Sequence, residues 1–192
     1  TTTCNDTNRG GTIFELSPPS VAGGSWTETV LWSFPKFGAG AHPSGKLVMD
    51  AAGNLYGTTY EGGNSFCNGG NGCGVVFELV APKTVGAPWE GRVLYVFNAY
   101  ANDGRSPGAD LLLRGGVLYG TTWVGGAYEG GTFFKLVRKP GLWTETILYN
   151  FTEGSDGSEP RGGLISDSAG NFYGTTTDGG NLTDCFGGCG TV

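Results

Sequence analysis

The chain has 192 residues, of which 38 are glycine, 12% are aromatic and only 15% are charged. Coiled coils, helical bundles and acidic disordered tails are excluded, because those classes carry many charged residues and little glycine. The 11 basic and 17 acidic side chains give a net charge of −6, which would repel a phosphate backbone, so we expect no nucleic-acid partner.

We expect neither a membrane span nor an export leader within this segment. No window approaches the roughly 18 consecutive apolar residues that a membrane-spanning helix needs, so we expect no membrane insertion in this segment. The sequence begins Thr1-Thr2-Thr3, without a basic and apolar leader. We therefore expect either a processed protein or a part of a longer one.

Three short motifs recur in a fixed order along the chain. The first reads Gly-Thr-Ile-Phe-Glu-Leu, the second joins a tryptophan to an aromatic run, and the third reads Tyr-Gly-Thr-Thr. A fixed period of tens of residues is typical of a repeat architecture. The copies lie at 11–16, 74–79, 131–136 and 190–192 for the first motif, at 26–34, 89–97 and 143–151 for the second, and at 56–59, 119–122 and 173–176 for the third.

The unit is constant in length in one part and variable in another. Each motif tryptophan (Trp26, Trp89, Trp143) stands 31 residues before the glycine of the next Tyr-Gly-Thr-Thr motif. From that glycine to the following Gly-Thr motif the spacing is 17, 11 and 16 residues. One connection per unit therefore absorbs the insertions, which indicates an exposed loop.

Alternating apolar and aromatic residues predict β-strands within each unit. Val30, Trp32 and Phe34 are predicted to lie on one face of a strand, and the same pattern recurs at 93–97 and 147–151. Glycine-rich turns separate the strands, and no segment predicts a helix. A full unit is predicted to contain strand A (Leu47–Asp50), strand B (Leu55–Thr59), strand C (Val75–Leu79) and strand D (Arg92–Phe97).

Four short antiparallel strands per unit predict an all-β protein, a β-propeller-like array of four-stranded blades. A solenoid of β-hairpins is the structural alternative. The predicted divisions of this single array are a half blade C–D at 1–45, repeats at 46–106 and 107–159, and a partial blade A–B with the start of C at 160–192.

The split blades predict exposed strand edges at both ends of the array. About three repeats are too few to close a propeller, which typically has four to eight blades. Three arrangements remain open: a segment of a longer propeller, two copies that close a six-bladed ring, or copies that add head to tail into a filament.

The five cysteines indicate the redox compartment. Cys67 and Cys73, like Cys185 and Cys189, fall as local pairs within the long versions of the variable loop. This placement predicts two disulfides in an oxidising compartment, whereas zinc binding fits poorly, because the spacings are not Cys-x-x-Cys and the chain has one histidine. Cys4 is unpaired in this scheme and is predicted to be free or to form an intermolecular bridge.

Two further residue sets are candidates for contact with sugars. Asn5, Asn150 and Asn181 each begin an Asn-x-Thr sequence, the acceptor pattern for N-glycosylation where the source has the machinery. Trp26, Trp89 and Trp143 are either structural or platforms on which a sugar stacks. The recurring tyrosines and phenylalanines are predicted to fill the space between blades: Tyr56, Tyr119, Tyr173, Phe34, Phe97 and Phe151.

No residue pattern predicts catalysis, a bound cofactor or a metal site. His42 is the one histidine, and it lies in a loop where the other copies have serine or glutamate. The recurrence of Glu15 as Glu78, and of Asp50 as Asp167, indicates architecture, and both aspartates are predicted to accept hydrogen bonds from turn amides. The pairs at 103–104 and 156–157, both Asp-Gly, favour turns over a calcium site.

The motifs Gly-Asn-Leu-Tyr-Gly-Thr-Thr at 53–59, Gly-Val-Val-Phe-Glu-Leu at 74–79 and Leu-Tyr-Asn-Phe at 148–151 resemble the GloVer tandem repeat. Proteins of this type are called choice-of-anchor tandem repeat proteins. The resemblance covers essentially the whole chain and implies an exported bacterial repeat protein on or outside the cell. It carries over no catalytic residues.

The sequence therefore favours an extracellular or cell-surface structural or adhesive repeat protein without catalysis, which self-associates through its split blades. A carbohydrate-binding propeller module, with glycans as partners, is the alternative. A polysaccharide-acting enzyme is a weaker one, because it would require an acidic cluster at a central channel.

Overall fold

Short, mostly antiparallel sheets make up the fold. The computed structural model describes residues 10–35, 38–84, 86–100, 102–181, 183 and 187–192. Within these ranges the single helical element is a 3-10 turn at Asn68–Gly70, so the predicted all-β class is confirmed. No helix in the described part of the chain is long and apolar enough to cross a membrane.

The first sheet of the described residues is two-stranded and is called here the leading pair, and a four-stranded sheet, the first blade, follows it. In each, consecutive strands are antiparallel neighbours, as the predicted order of strands requires. The leading pair consists of β1 (Thr12–Ser17) and β2 (Thr27–Ser33), and the first blade of β3 (Ala41–Met49), β4 (Leu55–Glu61), β5 (Val75–Val80) and β6 (Glu90–Val96).

A second four-stranded sheet, the second blade, repeats this arrangement. Two further short strands, β7 (Gly104–Arg105) and β10 (Val124–Gly125), form an antiparallel pair of their own. β7 precedes the strands of the second blade in the chain, and β10 lies between the second and third of them. The second blade consists of β8 (Leu112–Arg114), β9 (Val117–Thr122), β11 (Thr132–Lys139) and β12 (Leu142–Asn150). The prediction of four-stranded antiparallel units is therefore confirmed for both full repeats.

The last unit is smaller. Its trailing pair consists of β13 (Ile165–Ser166) and β14 (Phe172–Tyr173), which are the predicted strands A and B. The final glycines form a short parallel pair, β15 (Gly179–Gly180) with β16 (Gly188–Gly190). Thr191 then forms a β-bridge with Thr176. Thr191 thereby takes the position that Val75, the first residue of strand C, has opposite Thr59 in the first blade.

The predicted face of strand D is wrong at its first residue, because every strand D contains a β-bulge. In the first blade Val76 pairs with Tyr95 and Phe77 pairs with Val93, so Leu94 is the extra residue. Leu94 and Tyr95 consequently both pack on the core, whereas Val93 is exposed. The same register break lies opposite Leu31 in the leading pair and opposite Leu148 in the second blade.

Strand A also differs from the prediction, since β3 begins at Ala41 and not at Leu47. Its register against β4 breaks between Ser44 and Val48. The irregular first half contains a proline and a glycine, residues that weaken a strand signal in sequence.

The core lies between consecutive sheets, at surfaces that we call the blade junctions. The first junction joins the leading pair to the first blade, and the second joins the two blades. Ring contacts cross both: Phe34 lies on Phe77 with centroids 5.1 Å apart, and Phe97 on Phe134 at 5.3 Å. The prediction that Phe34 and Phe97 fill the space between blades is confirmed.

Candidate functional site

The glycine of the Tyr-Gly-Thr-Thr motif makes room for the core phenylalanine of strand C. A Cβ placed on Gly57 would lie 2.6 Å from the ring of Phe77, and one on Gly120 would lie 2.7 Å from the ring of Phe134. Real Cβ contacts are never this short, so no other residue fits there without a shift. The position of the phenylalanine ring therefore requires a glycine on the neighbouring strand.

The tyrosine of the same motif joins two strands and a turn. Tyr56 donates its hydroxyl to Glu78 at 2.9 Å and to Asp50 at 3.0 Å. Burial, together with these two acceptors, raises the pKa of Tyr56. Asp50 also accepts the backbone N–H groups of Ala52 and Asn54, so its predicted turn role is confirmed.

The trailing pair repeats this arrangement. Tyr173 and the backbone and side-chain N–H groups of Asn171 donate to Asp167. The hydrogen bonds of Asn171, followed by that of Tyr173, lower the pKa of Asp167 to about 2. The predicted turn role of Asp167 is confirmed as well.

Each sheet is fastened to the preceding one by the residue before a proline. These three residues have a left-handed backbone, with φ between 51° and 55°. Each donates its N–H to a carbonyl of the preceding unit at 2.8–3.1 Å, and the proline that follows packs against a glycine of that unit. The donor and acceptor pairs are His42 with Gly10, Ser106 with Cys73, and Glu159 with Gly130. The side chain at this position differs in the three units, whereas the hydrogen bond from its backbone N–H is the same in all three.

A polar trio of Tyr95, Asp103 and Glu145 spans the second junction. Tyr95 donates its hydroxyl to Asp103 at 3.0 Å, and Asn98 donates to the same carboxylate oxygen. Oxygen Oδ1 of Asp103 and oxygen Oε1 of Glu145 are buried, and no described residue forms a hydrogen bond with either atom. Burial, with the charge of Asp103, raises the pKa of Glu145 to about 7.

The first junction replaces this trio with apolar residues at the same repeat positions. Trp32 stands where the later copies have tyrosine, Ala39 where they have aspartate, and Gly91 where the second blade has Glu145. All three line one small cavity of about 30 Å³, and a Cβ on Gly91 would lie 2.5 Å from the Trp32 ring. The three positions therefore vary together, polar at one junction and apolar at the other.

The polar trio makes the second junction sensitive to pH. The pKa of Glu145 is 4.5 in the unfolded chain and about 7 in the folded protein. Between these two pH values Glu145 is protonated in the folded state and ionised in the unfolded state, so the folded state loses stability as the pH rises. We expect the free energy of unfolding to fall by about 2 kcal/mol from pH 5 to pH 8, measured by urea denaturation. Glu145→Gln should flatten this dependence. Glu28→Gln, at the equivalent exposed position of the leading pair, should retain it.

The predicted disulfide between Cys67 and Cys73 is present in the loop between β4 and β5. The two Cα atoms are 4.8 Å apart, and both residues are buried in the cluster of the second junction. Cys189 is also disulfide-bonded. Cys4 and Cys185 lie outside the described residues, so the pairing of Cys185 with Cys189 and the state of Cys4 stay predictions.

The three motif tryptophans have different surroundings. Trp143 lies edge-on to Tyr56, with centroids 6.3 Å apart, and Trp89 packs against the cluster of the first junction. Trp26, which directly precedes β2, is 63% exposed. Of the three, Trp26 is the one that presents a broad surface to a ligand.

The predicted glycosylation sites also differ. Asn5 lies outside the described residues. Asn150 ends β12, and its side-chain oxygen accepts the N–H of Ala127 at 2.9 Å. Asn181 is exposed, and its side-chain oxygen accepts hydrogen bonds from Thr183.

The residues weighed for chemistry are engaged in local contacts. His42 lies 3.1 Å from Glu61, and Glu15 is exposed on β1. Asp156 accepts hydrogen bonds from Tyr149 and Thr152, a turn like that of Asp103. No three His, Cys, Asp or Glu side chains in the described ranges are grouped as metal ligands would be.

The third junction, between the second blade and the trailing pair, is open. It contains a cavity of about 610 Å³ with aromatic walls, lined among others by Phe133, Phe151 and Phe172. Gly174 lines it too, and a Cβ there would meet only Leu164, at 3.0 Å. Among the residues that the structure describes, no ring fills at Gly174 the place that Phe77 fills at Gly57 and Phe134 fills at Gly120.

Repeated β-sheet units joined through a shared packing motif define a class, the tandem-repeat β-proteins. Residues 1–192 match the model of the Gloeobacter/Verrucomicrobia repeat, so the chain belongs to that family, as its resemblance to the GloVer repeat predicted. No curated protein and no solved structure matches it.

Proposed function

We propose that the chain is a structural or adhesive repeat protein of the cell surface or extracellular space, without catalysis, whose blades are arranged as in a β-propeller. One observation carries the proposal: the residues repeated in every unit serve to hold sheets together. Gly57 and Gly120 receive core phenylalanines, Tyr56 joins strand C to a turn, and the pre-proline residues fasten consecutive units. A catalytic site would instead need polar side chains that are free to contact a substrate and are not engaged in packing.

An extracellular location is supported by the cysteines. The Cys67–Cys73 disulfide is buried at the second junction, and such bonds persist in oxidising compartments. The family resemblance, which implies export, points the same way.

The location is tested by mapping the cysteines of the protein taken from its own cells, alkylated without reduction. We expect one linked peptide for Cys67 with Cys73 and one for Cys185 with Cys189. A cytosolic fraction, alkylated in parallel, controls for oxidation during handling. Free thiols at all four positions would contradict the extracellular assignment.

Carbohydrate binding is the second candidate, because Trp26 exposes a flat ring of the kind on which sugars stack. Glycan binding that is lost in Trp26→Ala but retained in Trp143→Ala would favour this function over a purely structural one.

A further inference from the structure

An exposed pair of aromatic rings lies where two loops meet. Phe66 belongs to the loop between β4 and β5, and Tyr100 belongs to the loop between β6 and β7. Their ring centroids are 5.6 Å apart and their planes are inclined at 63°, so the two rings form a corner. Phe66 is 69% exposed and Tyr100 is 61% exposed, although the rings touch. We call this pair the aromatic corner.

The loop that carries Phe66 does not need an aromatic residue for its shape. The side-chain oxygen of Asn64 accepts the backbone N–H of Phe66 and so forms an Asx turn. In the trailing unit Asn181, which also follows a Gly-Gly pair, accepts the backbone N–H of Thr183 in the same way. The same turn therefore forms with threonine in place of phenylalanine. The ring of Phe66 is an addition to this turn and not part of the repeated packing.

The backbone at each ring of the aromatic corner is held in place. Cys67, next to Phe66, is buried and disulfide-bonded to Cys73. Tyr100 donates its backbone N–H to the side-chain oxygen of Asn98 at 2.8 Å. Phenylalanine and tyrosine have only two side-chain torsions, so little conformational entropy is lost when a ligand binds to them. The aromatic corner is therefore preorganised for binding.

The polar groups of the two loops are mostly uncharged. The segments 60–73 and 98–103 contain two charged side chains, Glu61 and Asp103. The Glu61 side chain is 12% exposed and lies 3.1 Å from His42, and Asp103 is 7% exposed. The exposed polar side chains are a hydroxyl and three amides, those of Ser65, Asn68, Asn71 and Asn102. Hydroxyls and amides both donate and accept hydrogen bonds, so these surroundings favour a neutral ligand rich in hydroxyl groups.

We propose that the aromatic corner binds a neutral polysaccharide, with one sugar stacked on an aromatic face and its edge against the other ring. A pyranose with equatorial hydroxyls presents a flat face of C–H groups to a ring, and its hydroxyls point outward, towards amides such as those of the two loops. An apolar peptide would need a continuous apolar surface, which the serine and asparagine side chains interrupt. The proposal rests on the carbohydrate-binding candidate named above, but it places the sugar at a site other than Trp26.

Affinity electrophoresis of the full chain, in native gels that contain galactomannan, laminarin or hydroxyethylcellulose, tests this site. We expect at least one of these neutral polysaccharides to slow the protein, whereas the acidic polygalacturonate should not. Phe66→Leu keeps an apolar side chain but removes the flat ring, so it should weaken binding about ten-fold. Phe66→Tyr keeps the ring and should bind like the unmodified chain. Tyr100→Ala tests the other ring independently and should also weaken binding.

Leu142→Ala is the matched control, because it removes an apolar side chain of similar exposure, 63%, from the second blade. It should bind like the unmodified chain, and the melting temperature shows whether each variant is folded. The proposal is overturned if none of the three neutral polysaccharides slows the protein, or if folded Phe66→Leu and Tyr100→Ala both bind like the unmodified chain. Binding that is lost in Trp26→Ala but retained in these two variants would keep the carbohydrate function and overturn this site. The cysteine map tests the extracellular structural role separately.

Discussion

Gly120→Ala is expected to lower the free energy of unfolding by about 2 kcal/mol, whereas Gly174→Ala should change it by less than about 0.5 kcal/mol. The methyl group at position 120 would lie 2.7 Å from Phe134 and 2.9 Å from Leu111, and both are buried in the second junction. At position 174 it would meet only Leu164, and the lower entropy of the unfolded chain offsets that contact.

Urea denaturation of the two variants measures this difference. The two glycines occupy the same motif position, so propensity and sequence context are matched. Phe134→Leu in the Gly120→Ala background should recover part of the loss, because it shortens the side chain that the methyl group meets. Equal effects at the two glycines would show that the contact with the core phenylalanine is not what requires glycine.

Gly91→Glu is expected to cost at least about 3 kcal/mol, the largest effect of any single change considered. The Cβ would lie 2.5 Å from the Trp32 ring, and the carboxylate would enter a small cavity with mostly apolar walls. The reverse change, Glu145→Gly, removes a partly buried carboxylate that lacks one hydrogen bond, so it should cost much less.

The coupling between junction residues is tested by rebuilding the polar trio at the first junction. Trp32→Tyr and Ala39→Asp, added to Gly91→Glu, place tyrosine, aspartate and glutamate as at the second junction. A mutant cycle in thermal or urea unfolding should show favourable coupling of more than about 0.5 kcal/mol. Strictly additive losses would mean that the three positions vary independently.

Much of the fold could be predicted from the sequence, because the signals are local and repeated three times. Strands B and C follow from alternation, and the observed β4 and β5 differ from the prediction by one or two residues at one end. The turn role of Asp50 follows from its place before a Gly-Asn pair. Repetition in the sequence also predicts the four-stranded unit.

The bulge and the early start of strand A could not be predicted in this way. A bulge adds one residue without changing composition, so Leu94 looks like any alternating strand residue. The start of β3 at Ala41 passes through Pro43 and Gly45, which break the pattern of a regular strand.

The joint variation of Trp32, Ala39 and Gly91 against Tyr95, Asp103 and Glu145 was present in the sequence. It could not be interpreted, because these residues meet only across a junction whose geometry the sequence does not contain. The role of these carboxylates depends on the residues that face them in the next sheet.

The most direct test of blade stacking is a measurement of proton–proton nuclear Overhauser effects between phenylalanine rings in the folded chain. Strong effects are expected between Phe34 and Phe77 and between Phe97 and Phe134, whose centroids lie 5.1 and 5.3 Å apart across the two junctions. Tyr95 with Phe97, at 5.0 Å, is the internal control. Control signals without the two cross-junction signals would contradict face-to-face packing of the blades.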